Sequence, residues 1–392
     1  ADANSVFVAL RGDNHDGHDY ISSAIDNGCV AIVSEKIVPD NVSYLRVDDS
    51  RLALAHAGAI NRENFLGPVI GITGSSGKTT TKNMLHAALS KIDKTSVTKA
   101  NFNNEIGVPL TLLAINDSRG FTVVEMGARH QGDIAYLGRF VQPDVAILLN
   151  AGEAHIGEFG SYDTVVKTKG EIFESLSSNG VAIVNADDPA SSVWLQALSD
   201  MQLESKQVLT FSMSEGSSAD ICAEDVTCDG DCSRYVLSVK GEKTKVNLPL
   251  PGRHNVANSL AVAATFVALK LPFTAFVDGL AEMRGSAGRL AFETLANGSK
   301  VIDDSYNANP VSMRASLDVL ALQQGVRIAV LGEMGELGAK AKELHIELAV
   351  YASALDIDAY FLVGTYAQDM SHYLGKSATG FQTKAVMTKE LL

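Results

Sequence analysis

Residues 70–81, Ile-Gly-Ile-Thr-Gly-Ser-Ser-Gly-Lys-Thr-Thr-Thr, set a glycine-rich turn ending in Gly-Lys-Thr between an apolar run and a helical one. Few folds accommodate this. Gly74 and Gly77 let backbone N–H groups face an anion, Lys78 places a point charge beside the outer phosphates, and the Thr79 hydroxyl can ligate Mg²⁺. A nucleoside triphosphate is the ligand such a turn suits. The full G-x-x-x-x-G-K-[ST] pattern asks for glycine where Ile72 stands, so the match is to a T-G-x-x-G-K-T variant. The flanks agree: 68–73 has the apolar content of a buried parallel strand, and 82–90 continues as a helix with Met84, Leu85 and Leu89 at core spacing.

A chain of 392 residues exceeds what one hydrophobic core serves, so two or three domains are expected. Its 46% hydrophobic and 20% charged content is that of a soluble globular enzyme. No run reaches the ~18–20 apolar residues of a membrane helix, and no secretory leader opens the chain, so a cytoplasmic protein is expected; a monomer is expected as well. A formal net charge of -14 argues against nucleic acid as partner. Cys29, Cys222, Cys228 and Cys232 form no paired C-x-x-C framework and read as reduced thiols. The chain enters a strand-like run almost at once, which implies that the natural N-terminus is missing.

Segment 1–66 mixes short strands (6–10, 30–33, 44–47) with helical stretches (19–25, 51–60), a small α/β domain. From residue 67 strands and helices alternate, with 121–126, 144–150 and 180–185 as buried strands, which predicts a parallel sheet with right-handed crossovers. Residues 207–250 change to alternating apolar and polar positions, read as antiparallel sheet appended to the parallel core. An apolar helix follows over 255–269. The last segment alternates again, with strands at 300–304, 326–332 and 359–364, and reads as a second doubly wound unit. The fold class is therefore α/β in three domains: 1–66, a central phosphate-loop domain over 67–285, and a Rossmann-like domain over 286–392.

Functional-looking residues recur at strand ends, where open α/β sheets place ligands. Glu125 ends one strand and could ligate a cation; His155 follows the next. Residues 101–109 are dense in side-chain amides, which turns also favour. Residues 251–258 open the apolar helix with His254, Asn255 and Asn258, and Asn255 has a structural explanation as its N-cap.

In order and spacing, Thr-Gly-Ser-Ser-Gly-Lys-Thr-Thr at 73–80, the amides of 101–107, Glu-Met-Gly at 125–127, His155, Gly-Arg-His-Asn at 252–255 with Asn258, Gly-Arg-Leu at 288–290 and Asp-Asp-Ser-Tyr-Asn-Ala-Asn-Pro at 303–310 resemble the Mur ligase family, the ATP-dependent ligases of peptidoglycan synthesis. The resemblance spans nearly the whole chain. Residues 7–12 with 16–19, Lys-Thr-Lys-Gly-Glu-Ile-Phe at 167–173 and Gly-Glu-Met-Gly-Glu-Leu-Gly at 332–338 are similar to the MurF branch, which joins D-alanyl-D-alanine to UDP-N-acetylmuramoyl-tripeptide.

What the resemblance implies is specific. The N-terminal domain would grip the UDP of the acceptor, the central domain would bind ATP, and the C-terminal domain would close over the nucleotide about a hinge at 284–288. Gly74, Ser75, Ser76, Gly77, Lys78, Thr79 and Thr80 would cradle phosphates. Thr79, Glu125 and His155 would hold Mg²⁺, joined by Lys169 if that lysine is carried as a carbamate. His254, Asn255 and Asn258 would face the adenine, while Arg289 and Asp304 would reach phosphates and ribose. Catalysis would rest on Lys78, Glu125, His155, Lys169 and Arg289, and substrate contacts on Asn101, Asn103, Asn104, Ser305, Tyr306, Asn307 and Asn309. Relative to the branch, the chain lacks part of the N-terminal domain before Ala1 and stops before a late Lys-Gly-Ser-type segment. A P-loop kinase or NTP-driven switch accounts for the turn but not for 303–310, and a fold retained without catalysis sits poorly with Lys78, Glu125 and His155. A ligase adding a single amino acid, or folylpolyglutamate synthetase, is the nearer alternative.

Overall fold

A computed structural model of the chain describes residues 3–12, 14–38, 42–116, 120–152, 156–202 and 207–391. Three short strands, β1 (Val6–Val8), β2 (Ala31–Ser34) and β3 (Ser43–Arg46), pair in parallel in that order. Ala9, Ile21, Ala24, Ile32 and Val38 form their core. Gly17 donates its amide to Leu10 O at 2.7 Å, and a Cβ there would come within 2.6 Å of the same oxygen, so the 16–19 turn needs glycine.

Nine strands make the central sheet: β4 (Val69–Thr73), β5 (Thr95–Val97), β6 (Phe121–Glu125), β7 (Val145–Leu148), β8 (Val181–Asn185), β9 (Val208–Ser212), β10 (Ile221–Cys228), β11 (Ser233–Val239) and β12 (Glu242–Leu248). Their order is β12-β11-β10-β9-β8-β7-β4-β6-β5. The inner strands are continuously apolar because both faces are covered. Ile70, Ile72, Val123, Ile147 and Ile183 pack with Met84, Leu85, Phe266 and Phe276 of the helices Lys78–Leu89, Arg253–Ala268 and Phe273–Ala281. Val69, Val124, Leu148 and Val184 share the opposite core with Leu112, Leu137 and Trp194, and Ala55 of the helix Ser50–Glu63 joins them. Burying such side chains is worth about 1.5–3 kcal/mol each, which makes the strands a stiff platform for the loops at their C-terminal ends.

Two expectations need correction. Over 207–250, β9 and the start of β10 extend the parallel array, and antiparallel pairing begins only at β10–β11. The helix Ser191–Asp200 supplies the crossover between β8 and β9, which strand alternation alone does not reveal. In the last segment, 300–304 does form a strand, but β14 (Lys300–Asp303) pairs antiparallel with β13 (Ala291–Thr294) in a two-stranded ribbon. The cause is local: Asn297-Gly298 sits in the turn, with Gly298 at φ 85°. The parallel sheet there is β15 (Ile328–Leu331), β16 (Ala359–Val363) and β17 (Ala378–Phe381), in that order, and β17 was not anticipated from sequence. The helices Ala341–Ser353 and Ala367–Leu374 cross between them and pack together, as successive crossovers of one hand in one direction require. No helix among the described residues is long and apolar enough to cross a membrane.

Candidate active site

The strand β4 lies between β6 and β7, so the chain builds out to β5 and β6 on one side and then crosses to β7 on the other, and the C-terminal end of β4 is a topological switch point. Residues 74–77 turn there into the helix Lys78–Leu89. Gly77 takes φ 80°, and a Cβ on it would sit 2.4 Å from Asn258 Oδ1, so the turn excludes side chains for two reasons. Ser75 N and Ser76 N donate to Asn150 O (3.1 Å) and Asn150 Oδ1 (2.9 Å), and Ser75 Oγ accepts from Gly152 N at 2.9 Å. Asn150 thus holds the loop in shape. Sequence reading missed it, although its position at the end of a buried run was a usable signal. Lys78 Nζ donates to Gly74 O at 2.6 Å. Burial lowers its pKa, opposed by Glu125 and reinforced by the positive charge of Arg289.

Glu125, only 2% exposed, is the hub of the site. Its Oε1 accepts from Asn103 Nδ2 (2.9 Å), its Oε2 from Thr79 Oγ1 (3.0 Å), and Lys82 Nζ lies 3.2 Å from Oε2. Burial pushes this carboxyl up, but Lys78, Lys82 and the two side-chain hydrogen bonds outweigh it and hold it below its ordinary range. Lys82 is a second residue that sequence reading passed over as helix filler; it too is 2% exposed.

Lys169 is 3% exposed and, among the described residues, has no hydrogen bond or ion pair; Phe159 lies below its ammonium at 5.6 Å. Burial and then Lys78 push its pKa down to about 7, against Asp133 and Glu171. His155 lies outside the described residues. On the other side of the loop, Thr80, His254, Asn255 and Asn258 line a cavity of ≈ 200 Å³ with Ser76 and Asn83. Burial lowers the His254 pKa to about 4, so this ring is neutral at pH 7. Asn255 is not the N-cap. Gly252 holds that position, and Asn255, one turn in, donates Nδ2 to Pro251 O at 2.7 Å.

The C-terminal segment closes both spaces. Arg289 and Asp304 line the small cavity and also a cleft of ≈ 780 Å³ whose other wall is Gly74 to Thr79, Glu125 and Lys169. Arg289 stacks its guanidinium 4.2 Å from the centre of the Tyr306 ring. Asp304 accepts from Leu290 N (3.1 Å) and from Ser316 Oγ, and burial, the largest influence, raises its pKa. Asn101, Asn103, Asn104, Tyr306, Asn307 and Asn309 line the same cleft, whereas Ser305 is turned aside to Asp303 Oδ1 at 2.6 Å. Two of these amides also serve the backbone: Asn104 Oδ1 accepts from Gly107 N (2.9 Å), and Asn309 caps the helix Pro310–Ala321. In the expected hinge, Ser286 Oγ accepts from Asn83 Nδ2 at 2.9 Å.

Comparison with known proteins supplies the identity. Residues 72–266 match the Mur ligase middle domain, and residues 288–390 match the domain described as Mur ligase, glutamate ligase domain. The UDP-N-acetylmuramoyl-tripeptide–D-alanyl-D-alanine ligase of Escherichia coli (strain K12) is 36% identical over 98% of this chain and 85% of its own length. The chain belongs to the Mur ligase family, on its MurF branch. A crystal structure of MurF from Acinetobacter baumannii superposes with a TM-score of 0.93 at 37% identity, covering 100% of this chain and 84% of that one. MurF ligase from Thermotoga maritima in complex with ADP gives 0.86 at 30% identity, covering 100% and 88%. This member of the branch is accordingly an ATP-dependent ligase of three-domain α/β architecture.

Proposed function

We propose that this ligase joins D-alanyl-D-alanine to UDP-N-acetylmuramoyl-tripeptide in the cytoplasm, acting as a monomer built of domains 1–66, 67–285 and 286–392. The observation that carries the site reading is the two-walled cleft: Lys78, Thr79 and Glu125 on the central domain face Arg289 and Asp304 on the C-terminal one. In this reading residues 74–80 bind the triphosphate through backbone amides and Lys78. His254, Asn255 and Asn258 contact the adenine in the adjoining cavity. Asn101, Asn103, Asn104, Tyr306, Asn307 and Asn309 contact the acceptor and the incoming dipeptide.

A carboxylate is a poor electrophile, so the γ-phosphoryl group passes from ATP to the terminal carboxylate of the tripeptide, releasing ADP. The free amine of D-alanyl-D-alanine then attacks the acyl carbon, loses a proton, and phosphate leaves. Lys78 and Arg289 neutralise charge from opposite sides as the phosphoryl group moves, which is where catalysis of such a step resides. Closure by the C-terminal domain keeps water from the acyl phosphate. Thr79 Oγ1 and Glu125 Oε2, hard oxygen donors 3.0 Å apart beside the phosphate turn, fit Mg²⁺, with His155 as a further ligand. When bound, the ion would neutralise phosphate charge and fix phosphate geometry.

Phosphate release should require both UDP-N-acetylmuramoyl-tripeptide and D-alanyl-D-alanine; turnover with a shorter acceptor and a single amino acid would overturn this substrate assignment. Arg289→Ala is expected to lower kcat more than it weakens ATP binding, because its partner phosphates meet it only in the closed arrangement. Equal losses in both would place Arg289 in ground-state binding instead.

Lys169 is proposed to carry a carbamate, supported by its burial, its lack of a partner among the described residues and a pKa near 7. A neutral amine adds to CO₂, forming the N–C bond and releasing one proton, whereas an ammonium cannot, so activity should fall as pH drops below about 7. Lys169→Ala should lose activity at least about tenfold and regain part of it with short carboxylic acids. A fully active variant, or no carbamate signal in ¹³C NMR with labelled bicarbonate, would remove the modification from the mechanism.

A further inference from the structure

We infer that Lys82 is a positioning residue for the phosphoryl-transfer site, setting Glu125 and the 100–104 loop in one geometry. This rests on the reading of Glu125 as a metal ligand. Lys82 lies one turn beyond Lys78 on the same helix, but its ammonium turns away from the phosphate loop. It donates to Ala100 O at 2.7 Å and pairs with Glu125 Oε2 at 3.2 Å.

Both contacts are costly to arrange. The pair is almost wholly buried, and a buried ion pair brings little net stability compared with apolar packing, so its usual benefit is a fixed geometry. Ala100 adopts φ 47°, a left-handed conformation that disfavours any residue with a Cβ. That turn aims its carbonyl at Lys82. The three residues that follow then bring Asn103 back to the same carboxylate, where Nδ2 reaches Oε1 at 2.9 Å while Asn103 O accepts from Gly127 N at 2.8 Å. Among the described residues, Lys82 is therefore the one side chain that touches both the Glu125 carboxylate and the backbone of the loop whose amide holds its other oxygen. A metal ligand gains affinity from such outer partners, whose removal typically costs 10–100-fold.

The test measures Mn²⁺ affinity by electron paramagnetic resonance in the presence of a non-hydrolysable ATP analogue, alongside kcat and KM. Lys82→Met should weaken Mn²⁺ binding at least about fivefold and lower kcat about tenfold; Lys82→Arg, which keeps the charge and the donors, should recover part of both. Ala100→Pro provides a second route that leaves Lys82 and Glu125 intact. Proline cannot adopt φ 47°, Ala100 is exposed, and among the described residues its amide has no backbone partner to lose, so this variant should fold and show the same loss. Mn²⁺ affinity and kcat within twofold of wild type in Ala100→Pro and in a folded Lys82→Met would overturn the inference. Glu125→Gln in the same titration separates the layers: unchanged Mn²⁺ binding there defeats the metal-ligand reading, whereas loss there without loss in the Lys82 and Ala100 variants defeats this inference alone.

Discussion

Lys78→Ala should reduce ligation by about 10²–10³-fold, the scale of removing one preorganised charge from a developing anion. The fold should survive, because among the described residues the Lys78 ammonium hydrogen-bonds to Gly74 O alone, in its own loop, and the core below the helix is made by Met84, Leu85, Ala88 and Leu89. Glu125 would still be paired with Lys82 and bonded to Asn103 and Thr79, so no buried charge is orphaned. Melting temperature and phosphate release measured on one preparation check both halves. Near-normal turnover in a folded Lys78→Ala enzyme would mean the triphosphate is neutralised elsewhere.

Gly157→Ala should cost about 10²-fold in kcat while leaving the protein as stable as wild type or slightly more so. Gly157 sits in the short helix Ile156–Phe159, has no positive φ, and donates its amide to Glu336 O of the C-terminal domain at 3.1 Å. A Cβ added there would meet Gly338 N at 2.7 Å, Gly338 Cα at 2.9 Å and Glu336 O at 3.0 Å, and all three atoms belong to the opposite domain. Within its own helix alanine is the better residue, by roughly 0.5–1 kcal/mol. The clash is backbone against side chain and cannot be relieved by a rotamer. The domain must therefore sit back from the central sheet, moving Arg289 and Asp304 away from the phosphate loop, and displacements near 1 Å carry penalties of this order. ATP should still bind the central domain. Small-angle scattering with nucleotide analogue and acceptor should show compaction in the wild type and less in the variant; equal compaction with normal kcat would show that this contact does not limit closure.

Local sequence determined a great deal here. The glycine-rich turn was legible because its residues are contiguous: glycines that free the backbone, a lysine and a hydroxyl within six residues, flanked by a strand and a helix that hydrophobic period identifies. Glu125 was legible as a polar residue closing an apolar strand. Asn255 was misjudged as a cap because cap preference describes the residue type, whereas the backbone places the helix start at Gly252. The ribbon of β13 and β14 was lost to the alternation rule, which counts strands but does not say which sheet receives them.

Tertiary structure alone decided the pairings. Lys82 and Glu125 meet because β6 lies beside β4 and the helix after β4 lies across them, an arrangement set by sheet order and not by spacing along the chain. Asn150 became part of the phosphate loop for the same reason, since β7 flanks β4 on the other side. Gly157 and Gly338 look like ordinary glycines until two domains press their backbones together. Short-range rules of chirality, hydrogen bonding and hydrophobic period act within a few residues, so they specify elements and turns. Contacts between distant segments depend on which layers share a core, and that is settled only when the whole chain packs.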